Sequence, residues 1–452
     1  MRREASPEAP RILERSQHPV SRRDISEDAV KVLYRLHNAG FKAYLVGGSV
    51  RDLLLGRRPK DFDASTDARP NEIRRLFRNS RIIGRRFRLA HVFFKDGVIE
   101  VSTFRRDPDP GEQEGPPGDL LITSDNTWGT PEEDAFRRDF TVNALFYSIA
   151  DFSVIDYVGG IEDLERRLIR VIGNPDVRFK EDPVRMLRAC EFAARLGFGI
   201  ERSTQEAIER HRKDLEKASP ARMAEELVQL MRSGHAGAAT QWMLDLGLLE
   251  VFLPEAYAMV TAGARGLGDF GRVLPAVDAR LEAGQALSDA ALLAALLLPA
   301  VLLRRYDAES LEQRPMRREA IEELVRETME PFVQRFTLSR TRAQEMHHAL
   351  LTFQDLGDPR WSPAERLRIA RRPSFADALS LLEILVRATR DGAQVLAGWS
   401  EMARKAGEKP ASAAQPPPRR GEHEARRGGR PARRRRRRRR RPGAEGSAAG
   451  AG

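Results

Sequence analysis

The stretch YLVGGSVRDLLLGRRPKDFDA, Tyr44 to Ala64, decides the fold. It reads as a strand, a turn at Gly47-Gly48, a short helix ended by Gly56, and a second strand carrying Asp61 and Asp63. Residues two apart on a strand point to the same face. Asp61 and Asp63 would therefore stand side by side, and such a pair repels unless protonated or neutralised by cations. A divalent metal with a phosphate-bearing substrate resolves that repulsion. Gly47-Gly48 lets backbone amides come close to a ligand, and the start of the following helix suits a phosphate. Arg51, next to Asp52, adds a forked donor in the first turn. Gly-Gly alone is equally a tight turn. Gly-Gly followed by Arg-Asp and then Asp-x-Asp is a far more specific pattern.

Upstream, residues 25–39 predict a helix with Ala29, Val32, Leu33 and Leu36 on one stripe, closed by Gly40. Residues 1–24 are polar and basic and read as a loose, disordered N-terminus. Downstream, residues 70–77 predict a helix and 81–84 a strand. Residues 89–95 and 98–104 predict a hairpin around Asp96-Gly97. On its second arm Glu100 shares a face with Val98 and Ser102. It is either a third carboxylate facing the Asp-x-Asp strand or a solvated edge charge. The run Arg85-Arg86-Phe87-Arg88 suits phosphate contact and base stacking, or an ordinary surface loop. His91 has no second His or Cys near it and reads as structural. Residues 107–134 form a long loop rich in Gly, Pro and acids, the kind that is commonly functional. Residues 135–150 predict a helix burying Phe140, Ala144 and Tyr147, with Arg137, Arg138, Asp139 and Asn143 clustered at its start.

Strands are predicted again at 154–157 and 169–171, around a helix at 161–167, and largely cease near 175. The fold class is therefore α+β. A small mixed-sheet catalytic domain (25–175) is followed by all-helical stretches over 176–250 and 251–405, an elongated helical body; the family resemblance of the motifs quoted below implies the names head, neck, and body with leg for these three. Glu181, Asp182, Arg185 and Arg188 lie at the front of the first neck helix. Glu181 and Arg185 are four apart and suited to pair with each other. In the other reading, acid and guanidinium together recognise a base edge. Arg222, Glu225 and Glu226 read as a brace between helices. Arg368, Arg371 and Arg372 are surface cations within reach of a polyanion.

Residues 406–452 are a low-complexity, disordered tail with nine consecutive arginines, Arg433 to Arg441. From Gly421 onward there are twelve Arg and three Glu, which accounts for nine of the eleven net positive charges. The tail suits salt-dependent, sequence-blind contact with phosphates. One cysteine, Cys190, excludes an internal disulfide or a thiolate metal cluster. The apolar run 290–303 is broken by Pro299 and reads as buried helix rather than a membrane span. No secretory signal is evident in MRREASPEAPRILERS, so a cytoplasmic enzyme is expected.

Together these residues predict two-metal nucleotidyl transfer. Asp61 and Asp63 hold two Mg²⁺, joined by Glu100 if it is the third carboxylate rather than a solvated charge; Gly47, Gly48 and Arg51 hold the triphosphate of a nucleotide. Arg138 and Asp139 orient sugar and phosphate, and Asp182 and Arg185 choose the base. The hydroxyl donor should be long and anionic, which RNA satisfies.

The set LVGGSVRDLLLG, KDFDAST, RRDFTVNALFY, DYVGGIEDL and FKEDPVRMLRACEFAARLGF resembles the class II nucleotidyltransferases, which comprise bacterial poly(A) polymerases and tRNA CCA-adding enzymes. The likeness is dense from about residue 23 to 250 and weaker to about 390. GRRPKDFDAST, IIGRRFRLAHV, SDNTWGTPEEDAFRRDF and the basic C-terminus are similar to the poly(A) polymerase branch. Cys190-Glu191 departs from the commoner Val-Arg. The resemblance implies a polymerase-β-like head and ATP-specific addition of adenylates to RNA 3′ ends in RNA decay. The nucleotide set it implies is Gly47, Gly48, Arg51, Asp52, Arg138, Asp139, Asn143, Glu181, Asp182, Arg185 and Arg188. The expected partners are RNA, ATP, and RNA-decay or RNA-chaperone proteins, with no membrane and a monomeric state. A CCA-adding enzyme using CTP and ATP is the alternative.

Overall fold

The computed structural model describes residues 9–84, 88–95, 97–106, 127–261 and 270–407. Arg85 to Phe87, Asp96, most of the acid-rich loop and the arginine tail lie outside these residues. The described residues fall within one compact unit ending at Gly407.

Eight strands make the sheet: β1 (Arg11–Leu13), β2 (Ala43–Val46), β3 (Asp63–Thr66), β4 (Ser80–Ile83), β5 (Leu89–Phe93), β6 (Val98–Thr103), β7 (Leu145–Ser148) and β8 (Val154–Asp156). Their order is β1-β8-β7-β2-β3-β6-β5-β4. β3 and β6 run parallel and the other neighbours antiparallel, so the sheet is mixed, as expected. Helix α1 (Glu27–Asn38) begins where Ser26 Oγ accepts from the Ala29 amide, and it buries Ala29, Val32, Leu33 and Leu36. These residues join Leu45, Ala64, Val92 and Val101 in the head core. Helices α2 (Gly48–Leu54), α3 (Pro70–Leu76), α4 (Pro131–Arg137) and α5 (Gly160–Arg166) complete the head.

Three expectations are corrected. The segment 9–24 is not loose. β1 pairs with β8, His18 Nε2 meets the Phe152 carbonyl at 3.0 Å, and the Arg22 guanidinium lies 4.5 Å from the Phe152 ring centroid. Residues 135–150 are not one helix. α4 ends at Arg137, a short 3-10 turn covers Thr141–Asn143, and β7 follows as an inner strand. All four β7 residues are buried, and a strand covered on both faces shows no alternation to separate it from a helix. Finally, β3 starts at Asp63, so Asp61 precedes the strand rather than sharing its pleat.

Beyond the sheet the described chain is helical apart from a parallel pairing of Leu168–Ile169 with Gly199–Ile200; its helices are α6 (Pro175–Glu181), α7 (Val184–Leu196), α8 (Arg202–His211), α9 (Pro220–Arg232) and further ones to Ala393–Gly407. One apolar cluster runs from Phe140 and Val171 of the head through α7 and α9 to Trp399. The core is thus continuous across residue 175. The run at 290–298 is buried inside the helix Asp289–Glu312. Among the described residues no helix is long and apolar enough to cross a membrane.

Candidate active site

The site begins at the turn between β2 and α2. Gly47 has φ +71° and ψ −139°, a conformation that L side chains rarely adopt. A Cβ on Gly47 would stand 3.3 Å from Arg138 Nη1, and one on Gly48 would stand 3.3 Å from Arg51 Nη2. The two glycines thus let two guanidinium groups pack against the turn. Arg51 is not the solvent-facing fork that its position suggested. It is 1 % exposed, donates through Nε to Asp52 at 2.8 Å, and bonds the Asn143 side chain through Nη1. Burial disfavours its charge and Asp52 offsets that cost. Arg51, Asp52 and Asn143 therefore lock α2 to the turn before β7.

The acids lie across the neighbouring strands. Asp63 stands opposite Val46 on one side and beside Glu100 on the other. Because β6 lies between β3 and β5, Glu100 is on an inner strand, not an edge. Its Oε1 lies 3.1 Å from His91 Nε2. Burial and the negative charges of Glu100 and Asp61 push the Asp63 carboxyl up to about 6, against the pull of Arg138. Among the described residues neither Asp61 nor Asp63 has a hydrogen-bond or ion-pair partner for its side chain.

Arg138 is aimed at the same strand. It donates to Asp134 at 3.0 Å and to Ser65 Oγ at 3.3 Å, and its guanidinium lies 5.2 Å from the Phe146 ring centroid. Asp139 faces the neck: Arg188 donates to it through two nitrogens, and Asn143 and the Phe140 amide donate as well. Burial would raise the Asp139 carboxyl, but these donors outweigh it and hold it below the ordinary carboxylate value.

The base-reading trio is engaged elsewhere. Glu181 accepts from Arg178 at 2.7 Å and from Arg185 at 3.3 Å, so the i,i+4 pair forms. Arg185 also bonds the Arg178 carbonyl, and Asp182 is paired with Arg222. Asp182 and Arg185 are 7 % and 8 % exposed and do not line the cleft. The brace read from Arg222 and Glu226 is present, since Glu226 accepts from Arg188.

A cleft of about 850 Å³ brings together Gly48, Arg51, Asp52, Asp61, Asp63 and Arg188. Sequence reasoning missed part of its lining. Arg57, Arg58 and Lys60 directly precede Asp61, and that basic run was a readable signal. Arg188, Glu225 and Glu226, singled out in the sequence for other reasons, are joined by Glu191, Phe192 and Arg195 on one stripe of α7 and by Gln229 and Arg232 on one stripe of α9. Such i,i+3/i+4/i+7 spacing marks a helix face. Phe192 has the guanidiniums of Arg51, Arg188 and Arg195 within 5.4 Å of its ring centroid. Burial raises the Glu191 carboxyl and neighbouring arginines oppose it.

Among the described residues no three His, Cys, Asp or Glu groups already stand in a metal-holding arrangement. Mg²⁺ needs fewer: one or two carboxylates, with waters and substrate phosphates completing its oxygen shell. Two unpartnered carboxylates, one with its pKa raised by burial and by neighbouring acids, are a donor set that fits it.

The family described as the poly A polymerase head domain matches residues 43–170. The probable RNA and SrmB-binding site of polymerase A matches residues 197–259. Poly(A) polymerase I of Salmonella typhi is 53 % identical over 249 residues, covering 54 % of this chain and 53 % of that protein. A CCA-adding enzyme of Bacillus velezensis is 38 % identical over 222 residues, covering 49 % and 54 %. The chain spans about half the length of the curated relatives it matches. The crystal structure of the Bacillus stearothermophilus CCA-adding enzyme in complex with CTP aligns with a TM-score of 0.57 and 26 % identity, covering 84 % of this chain and 81 % of that one.

Proposed function

We propose that the chain, which is similar to bacterial poly(A) polymerase I over about half its length, adds AMP from ATP to the 3′-hydroxyl of RNA without a template. The observation that carries this reading is the pair Asp61 and Asp63, which have no hydrogen-bond or ion-pair partner among the described residues, with Asp63 raised by burial and by the charges of Glu100 and Asp61, in a cleft that Arg57, Arg58 and Lys60 also line. Asp61 and Asp63 would hold Mg²⁺. Bound there, the metal supplies a lowered pKa for the attacking hydroxyl and charge compensation for the triphosphate and departing pyrophosphate.

The residues of the chain bind and orient. The Gly47-Gly48 turn admits the triphosphate close to backbone, braced from behind by Arg51, Asp52 and Asn143. Arg58 and Lys60 are exposed cations beside Asp61, placed to balance phosphate charge. Arg138, fixed by Asp134 and Ser65, adds positive potential at Asp63. The primer hydroxyl attacks the α-phosphorus in line and pyrophosphate leaves. Base choice falls to Glu181, Asp182 and Arg185, which must loosen their pairs with Arg178 and Arg222 to reach a nucleotide. RNA 3′ ends and RNA-decay or chaperone proteins remain the partners we propose, for a monomer acting in the cytoplasm.

The likeness to CCA-adding enzymes, over 49 % of the chain in sequence and 84 % in structure, favours a second reading, addition of CTP and ATP to tRNA. Extension assays with each NTP alone, on an RNA primer and on tRNA lacking its CCA end, separate the two. Long A-only tails are expected. CTP incorporation, or a halt after one A, establishes the second reading.

A further inference from the structure

One row of side chains crosses three neighbouring strands. His91 on β5 stands opposite Glu100 on β6, and Glu100 stands beside Asp63 on β3. Paired residues at one level project from the same face of a sheet. The row therefore runs from an imidazole, through a carboxylate, to the acid assigned to the metal. His91 Nε2 lies 3.1 Å from Glu100 Oε1. A carboxylate oxygen accepts, so the ring N–H donates. The other Glu100 oxygen has no hydrogen-bond partner among the described residues. The Phe93 ring meets the imidazole edge-on at 6.2 Å between centroids, which restricts how the ring turns.

An ordinary surface ion pair is the competing account. The Glu100 side chain is 51 % exposed and that of His91 is 24 % exposed. A pair so open to water contributes little to stability. The contact has a clearer use as an orienting bond. Glu100 has rotatable bonds of its own and, unheld, would spend its time in water rather than beside Asp63. With one oxygen tied to a rigid ring on an inner-sheet row, the other is restricted to a narrow set of directions.

We propose that His91 is a positioning residue, holding Oε1 of Glu100 so that the remaining oxygen serves the cation bound at Asp61 and Asp63. The idea rests on the metal-dependent reading given above. Partners that orient metal-binding carboxylates commonly change metal affinity by about 10- to 100-fold when removed.

The test measures Mn²⁺ uptake by the full chain with a non-hydrolysable ATP analogue, read from the loss of the free-ion EPR signal. The thermal midpoint in EDTA reports folding separately. His91→Ala is expected to weaken Mn²⁺ binding about tenfold with an unchanged midpoint. Glu100→Gln should lose a similar factor, and the double variant no more than either single one, because both act through one contact. His91→Gln, which keeps a side-chain N–H, should recover part of the loss. Unchanged Mn²⁺ affinity in His91→Ala, or additive losses in the double variant, overturns the proposal. If His91→Ala lowers the EDTA midpoint, folded His91→Gln decides. Affinity near wild type then supports the role, and affinity as low as that of Glu100→Gln refutes it. Asp63→Asn tests the parent reading by itself. If it abolishes uptake while His91→Ala does not, only the role of His91 fails. If Asp63→Asn leaves uptake intact, the metal reading fails first.

Discussion

Arg188 donates through Nε and Nη2 to a single oxygen of Asp139, at 2.9 and 2.7 Å, and so ties neck helix α7 to the turn after α4. The same guanidinium reaches Glu226 on α9 at 3.3 Å. One side chain thus joins three segments, two of which, α7 and α9, wall the cleft. Arg188→Ala would leave Asp139 buried with a charge and fewer donors. Because about a third of Arg188 meets solvent, the expected loss is about 1–2 kcal/mol, measured by denaturant unfolding at pH 7. Asp139 has a depressed carboxyl pKa in the fold. Its contribution is present above about pH 4, the unfolded value, and is lost as pH falls through the folded one. The acid limb of the wild-type stability profile should therefore be steeper than that of Arg188→Ala.

Asp63 has the opposite sign. Its carboxyl is raised to about 6 by burial and by Glu100 and Asp61. Between roughly pH 4 and 6 the folded state binds the extra proton, so this residue costs stability as pH rises. In EDTA, Asp63→Asn should raise stability at pH 8 by about 1–2 kcal/mol, a gain that shrinks toward pH 4. The same variant with Mg²⁺ and ATP should lose most nucleotidyl transfer. A pH-independent stability difference in EDTA would contradict a carboxyl raised by burial and by neighbouring acids.

Gly47 tests the turn. Gly47→Ala forces an L residue to φ +71° and sets its Cβ 3.3 Å from Arg138 Nη1. Backbone strain of about 1–3 kcal/mol is expected, seen as a lower denaturation midpoint. Arg138 must also shift, so the transfer rate should fall further than an equally destabilising change remote from the cleft.

Removal of residues 421–452 takes away nine net positive charges. RNA affinity and processivity should fall most at low salt, and the salt dependence should flatten. Single-turnover chemistry with saturating primer should stay near wild type. An equal loss in the chemical step would assign the tail another task.

Much of the head was legible because its signals are local. The α1 stripe, the strand–turn–helix at Gly47-Gly48 and the β5–β6 pairing all follow from spacing within a dozen residues. Asp61 and Asp63 do reach one cleft, although only Asp63 is on the strand. What stayed hidden depends on distant pairing. Asp182 and Arg222 are 40 residues apart, and Asp139 and Arg188 are 49 apart. No periodicity reports such contacts, so residues that looked free to bind a nucleotide turn out to brace the neck internally, in the first pair, and to hold it to the head, in the second. β7 was misread for a different reason. Phe140, Ala144 and Tyr147 fit a helical stripe by coincidence, while burial of every strand residue erased the alternation that would have exposed the error.

The three-residue strand at Arg11–Leu13 carries a practical warning. It covers the outer hydrogen-bonding rim of β8, and Arg22 and His18 button the same segment onto Phe152. A protein shortened to begin at residue 25, as its charged and proline-bearing start invites, would leave that rim bare. Bare strand rims recruit other chains. Poor solubility of such a truncated form would then reflect the missing selvedge of the sheet rather than any fault in the cleft.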